Sequence, residues 1–378
     1  MTIKPELPSS DRHDKYYGLD HLRALAIILV FFYHYQMSAH PKWVTDLSRF
    51  GWTGVDLFFV LSGFLIASQL FAQVKKGDPV DVRDFYLKRF FRIIPAYLVV
   101  VALYFSFPAF HERSSLPSVW RFLTFTQNFG LDISASGTFS HAWSLCVEEH
   151  FYLVLPLILV MLQVTNLFTK GYWLIAGIFI SGILIRYYSW NRYYYPGINQ
   201  PNEWVTWYKF LYYPTYNRLD GLLTGVSIAA VNQFLPGVWA RCSKFGNPML
   251  ITSLFILAGA YYLFEDEHSF YATVYGFPLV SLGYGLMVMG ALSPSCLLFR
   301  WHSRATTTLA TLSYAIYLTH KGIVHLLHML VSNHSVDPDG NLMLLICIAG
   351  SLTGAIILNF TIEKPFLRLR KMLVKENP

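Results

Sequence analysis

The sequence predicts an all-α integral membrane protein of about ten transmembrane helices with both termini cytoplasmic. Three observations support this. Of its 378 residues, 54% are hydrophobic and only 13% charged, whereas soluble domains average about 25% charged. Apolar runs of roughly 17 to 25 residues, each long enough to cross a bilayer, recur from Leu19 almost to the end of the chain. Lys and Arg also crowd into the short connections on one side, as cytoplasmic loops do.

The polar segment 1–18 has no apolar stretch followed by a small-residue cleavage site, so it reads as a cytoplasmic N-terminal segment and not as a signal peptide. The membrane domain covers 19–361, with spans expected at 19–39, 51–73, 93–110, 142–162, 171–188, 209–231, 249–264, 270–292, 306–331 and 341–361. A basic cytoplasmic tail, 362–378, closes the chain. The stretch 106–141 is a longer polar connection, and 187–208, rich in Tyr and Trp, reads as an interfacial loop of aromatic anchors. Of the 29 Lys and Arg, twenty fall on the cytoplasmic side and eight outside, the latter including Arg113, Arg186 and Lys321, while Arg218 lies inside a span.

Several function classes drop out. The net charge of +7 sits in short loops and not on one soluble face, which argues against nucleic acid as a partner and leaves membrane lipids as the surroundings. Cys146, Cys242, Cys296 and Cys347 are far apart with no CxxC pair, so neither a zinc site nor a disulfide framework is indicated. The 13 His are scattered, and no metal-ligand constellation stands out.

The informative residues are the ionisable ones placed in lipid, which are costly there and by default functional. Arg23 and His34 are eleven apart on the first helix, nearly on one face and about 16 Å apart along the axis. Arg23 could instead snorkel to the headgroups and His34 satisfy a neighbouring helix. The fourth helix opens with His141, Glu148, Glu149 and His150. Exposed, these form an interfacial cap; buried, they need cations or imidazoles and invite proton transfer. Arg218 and Asp220 are either functional or a buried structural ion pair. In the loop after the second span, Lys88, Arg89 and Arg92 lie within one helical turn, a fork for phosphate groups or an anionic-lipid contact.

Taken in order, these motifs resemble the acyltransferase 3 family over nearly the whole chain. The Arg23 to His34 spacing matches the family's first-helix pattern, and Gly54-Val55-Asp56-Leu57-Phe58-Phe59 is similar to its second-helix signature. Arg89-Phe90-Phe91-Arg92, Trp143-Ser144-Leu145-Cys146-Val147-Glu148-Glu149 and Arg218-Leu219-Asp220 follow. Leu312 to His320 and Ile362-Glu363-Lys364-Pro365 resemble its closing signatures. Ala24 replaces a frequent Gly, and His150 a usual Gln, which adds a titratable group beside the expected site.

The resemblance implies an O-acyltransferase of the bacterial inner membrane, with no permanently bound cofactor. It would move an acyl group, most often acetyl, from cytoplasmic acyl-CoA to a hydroxyl of a carbohydrate or glycoconjugate outside. Arg89 and Arg92, with Lys88 beside them, would hold CoA phosphates, and Arg23 would guide the donor inward. His34 would act as general base or transient acyl carrier, oriented by Glu149 or Asp56. Arg218, followed by Asp220, would stabilise the developing oxyanion. A proton-coupled secondary transporter would carry similar groups, but such proteins often show inverted repeats, and no clear internal repeat is visible here.

Overall fold

The computed structural model describes residues 16–331 and 336–373. The expected cytoplasmic residues Lys4, Arg12, Lys15 and Lys375 lie outside that range. Regular structure among the described residues is entirely helical. Among the described residues the longer helices, each overlapping one expected span, are α1 (Tyr17–Tyr35), α2 (Gly54–Lys76), α3 (Val82–Ser106), α4 (Trp143–Val164), α5 (Gly171–Ser189), α6 (Asp220–Phe234), α7 (Gly246–Leu263), α8 (Phe277–Ala291), α9 (Arg304–Val331) and α10 (Asn341–Leu358).

Among the described residues, seven helical stretches are long and apolar enough to cross a membrane: Gly51–Lys76, Val82–Ser106, Ser140–Val164, Phe168–Gly197, Pro236–Leu263, Ala272–Ala291 and Asn341–Leu373. The helices outside this set are α1, α6 and α9. α6 has only 15 residues. α1 carries Asp20, His21, Arg23 and His34, and α9 carries His320, Lys321, His325 and His328. As shown below, several of these polar side chains line the two cavities.

α3 starts earlier than its expected span because the Asp81 carboxylate caps it, accepting a hydrogen bond from the Asp84 amide at 2.8 Å. The Arg89 to Arg92 segment, expected in a loop, is therefore the second and third turns of a helix. The stretch 106–141 folds into short helical pieces over one end of the bundle, among them Pro108–Phe110, Val119–Leu123 and Ile133–Ser136.

α2 and α6 pack most intimately, and the sequence permits it at Gly63, Gly221 and Gly225. A Cβ on Gly225 would overlap the Val60 carbonyl oxygen, and one on Gly63 the Leu222 carbonyl oxygen. Gly221 and Gly225 form the small-xxx-small spacing that lets backbones approach in a bilayer. After α10, a π-helical turn (Asn359–Glu363) leads into a short basic helix, α11 (Lys364–Leu373), packed against α3.

Candidate active site

At the end of the bundle where α1 finishes and α2 and α4 begin, a cavity of about 740 Å³ opens. Its walls are aromatic, including Trp52, Trp143, Trp204, Tyr208, Tyr212 and Tyr213, with Glu112, Glu267 and Lys321 among its charged residues. The Lys321 ammonium meets the Glu112 carboxylate at 3.0 Å. Three imidazoles gather on the lining: His34, His141 and His320, with ring centroids 5.0 to 5.5 Å apart. Among the described residues no group of three or more His, Cys, Asp or Glu is arranged to hold a metal ion.

Hydrogen bonding fixes the protons on two of these rings. His320 Nδ1 lies 2.9 Å from the Ile316 carbonyl and 3.0 Å from the Tyr317 carbonyl. A carbonyl only accepts, so Nδ1 carries the proton and Nε2 of the neutral ring is an acceptor. His34 Nδ1 is 2.9 Å from that Nε2, so His34 donates. The lone pair of His34 is thereby placed on Nε2, in the tautomer a general base needs. The partner that orients His34 is thus His320. Of the expected orienters, Asp56 pairs with Arg218, and neither it nor Glu149 lines the cavity that holds His34.

A second, smaller cavity of about 180 Å³ lies toward the end of the bundle that carries the basic residues. Arg23, Arg89 and Arg92 line it together with Gln69, Ser62 and Glu148. Arg89 donates to the Gln69 side-chain oxygen at 3.1 Å. Lys88 is not in this group; its ammonium pairs with Asp84 at 2.7 Å, one turn back along α3. The carboxylate facing the cavity is Glu148, held by the Ser62 and Tyr152 hydroxyls at 2.9 and 3.1 Å. Its neighbour Glu149 lines neither cavity.

Val55 and Tyr317 line both cavities and form the partition between them. The Tyr317 hydroxyl donates to the His141 carbonyl, and Ser144 then donates to the Tyr317 oxygen at 2.6 Å. The partition is held by hydrogen bonds that tie α9 to α4 and to the turn Ser140–Ala142 before it.

Three more expected site residues, Asp56, Arg218 and Asp220, line neither cavity. Arg218, 1% exposed, makes its ion pair with Asp56, one guanidinium nitrogen lying 3.0 Å from both carboxylate oxygens. The guanidinium sits among four rings, 4.2 Å from the Phe277 centroid, 4.7 Å from Tyr212, 5.3 Å from Trp143 and 6.0 Å from Trp52. Trp52, Trp143 and Tyr212 also line the large cavity, whereas Arg218, expected to meet the oxyanion, lines neither cavity. Asp220 does not pair with Arg218 either. Its partner is the fully buried Arg186, at 2.6 and 3.1 Å, which also donates to the Asn217 and Val274 carbonyls. Arg186, expected among the outer loop charges, is a core residue on the last turns of α5. His150 bonds Thr215 at 2.8 Å, stacks on Phe129 and lines neither cavity.

Residues 16–360 match the family described as an acyltransferase domain. The chain belongs to the acyltransferase 3 family. Among its curated relatives, the peptidoglycan O-acetyltransferase OatA of Listeria monocytogenes is 28% identical over 326 residues, covering 82% of this chain and 49% of that protein. A putative O-acetyltransferase of Staphylococcus aureus is 26% identical over 337 residues, covering 82% of this chain and 51% of the relative. The putative peptidoglycan O-acetyltransferase YrhL of Bacillus subtilis is 27% identical over 337 residues, covering 83% and 49%. The chain spans about half the length of these relatives. No solved structure matches it.

Proposed function

We propose that this acyltransferase 3 chain moves an acetyl group from cytoplasmic acetyl-CoA to a hydroxyl of a cell-envelope carbohydrate on the outer side of a bacterial inner membrane. The observation that carries the reading is the pairing of the two cavities, with an arginine-lined one abutting an aromatic one in which His34 has its Nε2 free to accept a proton. In this topology α1 to α10 all cross and both termini are cytoplasmic, which puts Arg23, Arg89 and Arg92 inside and the aromatic cavity outside.

Arg89 and Arg92 bind CoA phosphates, with Arg23 beside them, and the thioester extends past Val55 and Tyr317. The aromatic walls suit a sugar ring, whose apolar face stacks on indole and phenol rings while its hydroxyls reach Glu112, Glu267 or Lys321. The acceptor hydroxyl gives its proton to His34 Nε2 as its oxygen attacks the thioester carbonyl carbon. The tetrahedral intermediate collapses with cleavage of the carbon–sulfur bond, and the His34 imidazolium returns the proton to the departing thiolate. His320 holds the ring throughout.

Transfer of label from radiolabelled acetyl-CoA to an isolated envelope carbohydrate fraction by the purified protein tests this. Transfer that His34→Ala abolishes supports it. Failure of the folded protein across a panel of donors and acceptors, together with substrate flux into vesicles without acyl-CoA, would replace it with a transporter.

A further inference from the structure

Arg218 lines neither cavity, so the thioester oxyanion needs another donor, and His141 is the residue on the large cavity's lining that lies beside His34 and has both ring nitrogens unused. His141 is 2% exposed, lines the large cavity, and neither of its ring nitrogens has a hydrogen-bond partner among the described residues. An imidazole so buried and unsatisfied is costly to keep, by about 1 to 3 kcal/mol per orphaned group, and its neighbours His34 and His320 are both bonded.

The backbone around it is held in an uncommon conformation. Phe139, two residues earlier, has φ 55 and ψ 25, a left-handed geometry sparsely populated by bulky residues. There its backbone N–H donates a hydrogen bond to the Glu112 carboxylate at 3.1 Å and its ring stacks on Tyr104 at 4.4 Å. Strain over-determined in this way clusters at functional sites. Its effect here is to bring the His141 ring within 5.5 Å, between centroids, of both His34 and the partition residue Tyr317. The His141 carbonyl is tied to the Tyr317 hydroxyl, so the ring and the partition are positioned together.

The geometry points to His141 as the oxyanion donor: its ring N–H receives the thioester carbonyl oxygen as that oxygen becomes negative, beside the base His34 and just past the Tyr317 partition. This rests on the transfer reaction proposed above. A neutral imidazole serves the role, since it offers an N–H without placing a second cation next to the imidazolium that forms on His34. The proton stays on His141 throughout, and no bond to it forms or breaks.

The test compares His141→Phe, which keeps a ring and removes the donor, with His141→Gln, which restores an N–H, in the full chain purified in detergent. The expected result is a fall in kcat of about 100-fold for the Phe variant, as for loss of one oxyanion donor, with KM for acetyl-CoA and acceptor little changed, and recovery of at least tenfold by Gln. Thermal unfolding in detergent checks that both are folded. Wild-type kcat in the folded Phe variant, equal loss in both variants, or a rise in acceptor KM at unchanged kcat would each overturn the assignment. Wild-type protein and His34→Ala run alongside separate the two failures: no transfer by wild type refutes the reaction, whereas transfer that is indifferent to His141 refutes only this role.

Discussion

Replacing His320 by Leu removes the acceptor that holds the proton of His34 on Nδ1, while leaving apolar bulk where the ring stood. In the wild type that proton lies between ring nitrogens 2.9 Å apart, and the far nitrogen of His320 is fixed by two carbonyls of its own helix. Without it, the His34 ring can turn or shift its proton to Nε2, and in either case the lone pair is lost from the cavity. A neutral buried hydrogen bond and the penalty for orphaning its donor together suggest about 1 to 2 kcal/mol against the productive form. At about 1.4 kcal/mol per factor of ten, kcat falls roughly 5- to 30-fold. His320→Gln, whose amide oxygen can still accept from His34, is expected to stay within about threefold of wild type, the residual cost being only imperfect hydrogen-bond geometry. The assay is initial-rate transfer of radiolabelled acetyl at saturating donor and acceptor. A folded Leu variant with wild-type kcat would refute the reasoning, as would a Gln variant as slow as Leu.

Arg89→Ala and Arg92→Ala should raise KM for acetyl-CoA while leaving kcat nearly unchanged, because both residues line the smaller cavity away from His34; a pure kcat loss in steady-state kinetics would contradict their placement. Asp56→Asn strips the buried Arg218 of its partner and should cost about 3–5 kcal/mol of stability, seen as a lower unfolding temperature in detergent. A normally folded Asp56→Asn protein with a selective kcat loss would instead make Asp56 part of the chemistry. Gly225→Leu forces a side chain into the Val60 carbonyl and should destabilise the α2 and α6 pair by at least about 1–3 kcal/mol; unchanged thermal unfolding would show that these helices can separate. In a background without the native cysteines, Cys introduced at Gly77 should react in intact cells with a permeant thiol reagent and not with an impermeant one, and the reverse result would invert the proposed topology.

Local spacing carried much of this architecture. The eleven-residue interval in α1 puts Arg23 on one cavity and His34 on the other, and that could be counted in the sequence. The Arg89 to Arg92 pair needed only helical neighbourhood. Partner choice was beyond reach, because it joins residues far apart in the chain. His34 meets His320 across 286 positions, and Arg218 meets Asp56 across 162. Reading Arg218 with Asp220 followed their proximity in sequence, whereas the turn into α6 sends their side chains to different helices. Arg186 was indistinguishable from an interfacial arginine, since the acceptors that bury it come from Asp220, Asn217 and Val274. Of the paired glutamates, only the pitch of α4 against α2 decides that Glu148 and not Glu149 faces the cavity. His141 stood in plain view beside the Trp143 motif. Its significance lies in having no partner, which depends on the packing around it.

The central claim is tested most directly by incubating the purified chain with radiolabelled acetyl-CoA and an envelope carbohydrate fraction, beside His34→Ala. The account predicts label in the carbohydrate with the wild-type protein and background alone with the variant. Label transferred equally by a folded His34→Ala protein would contradict it.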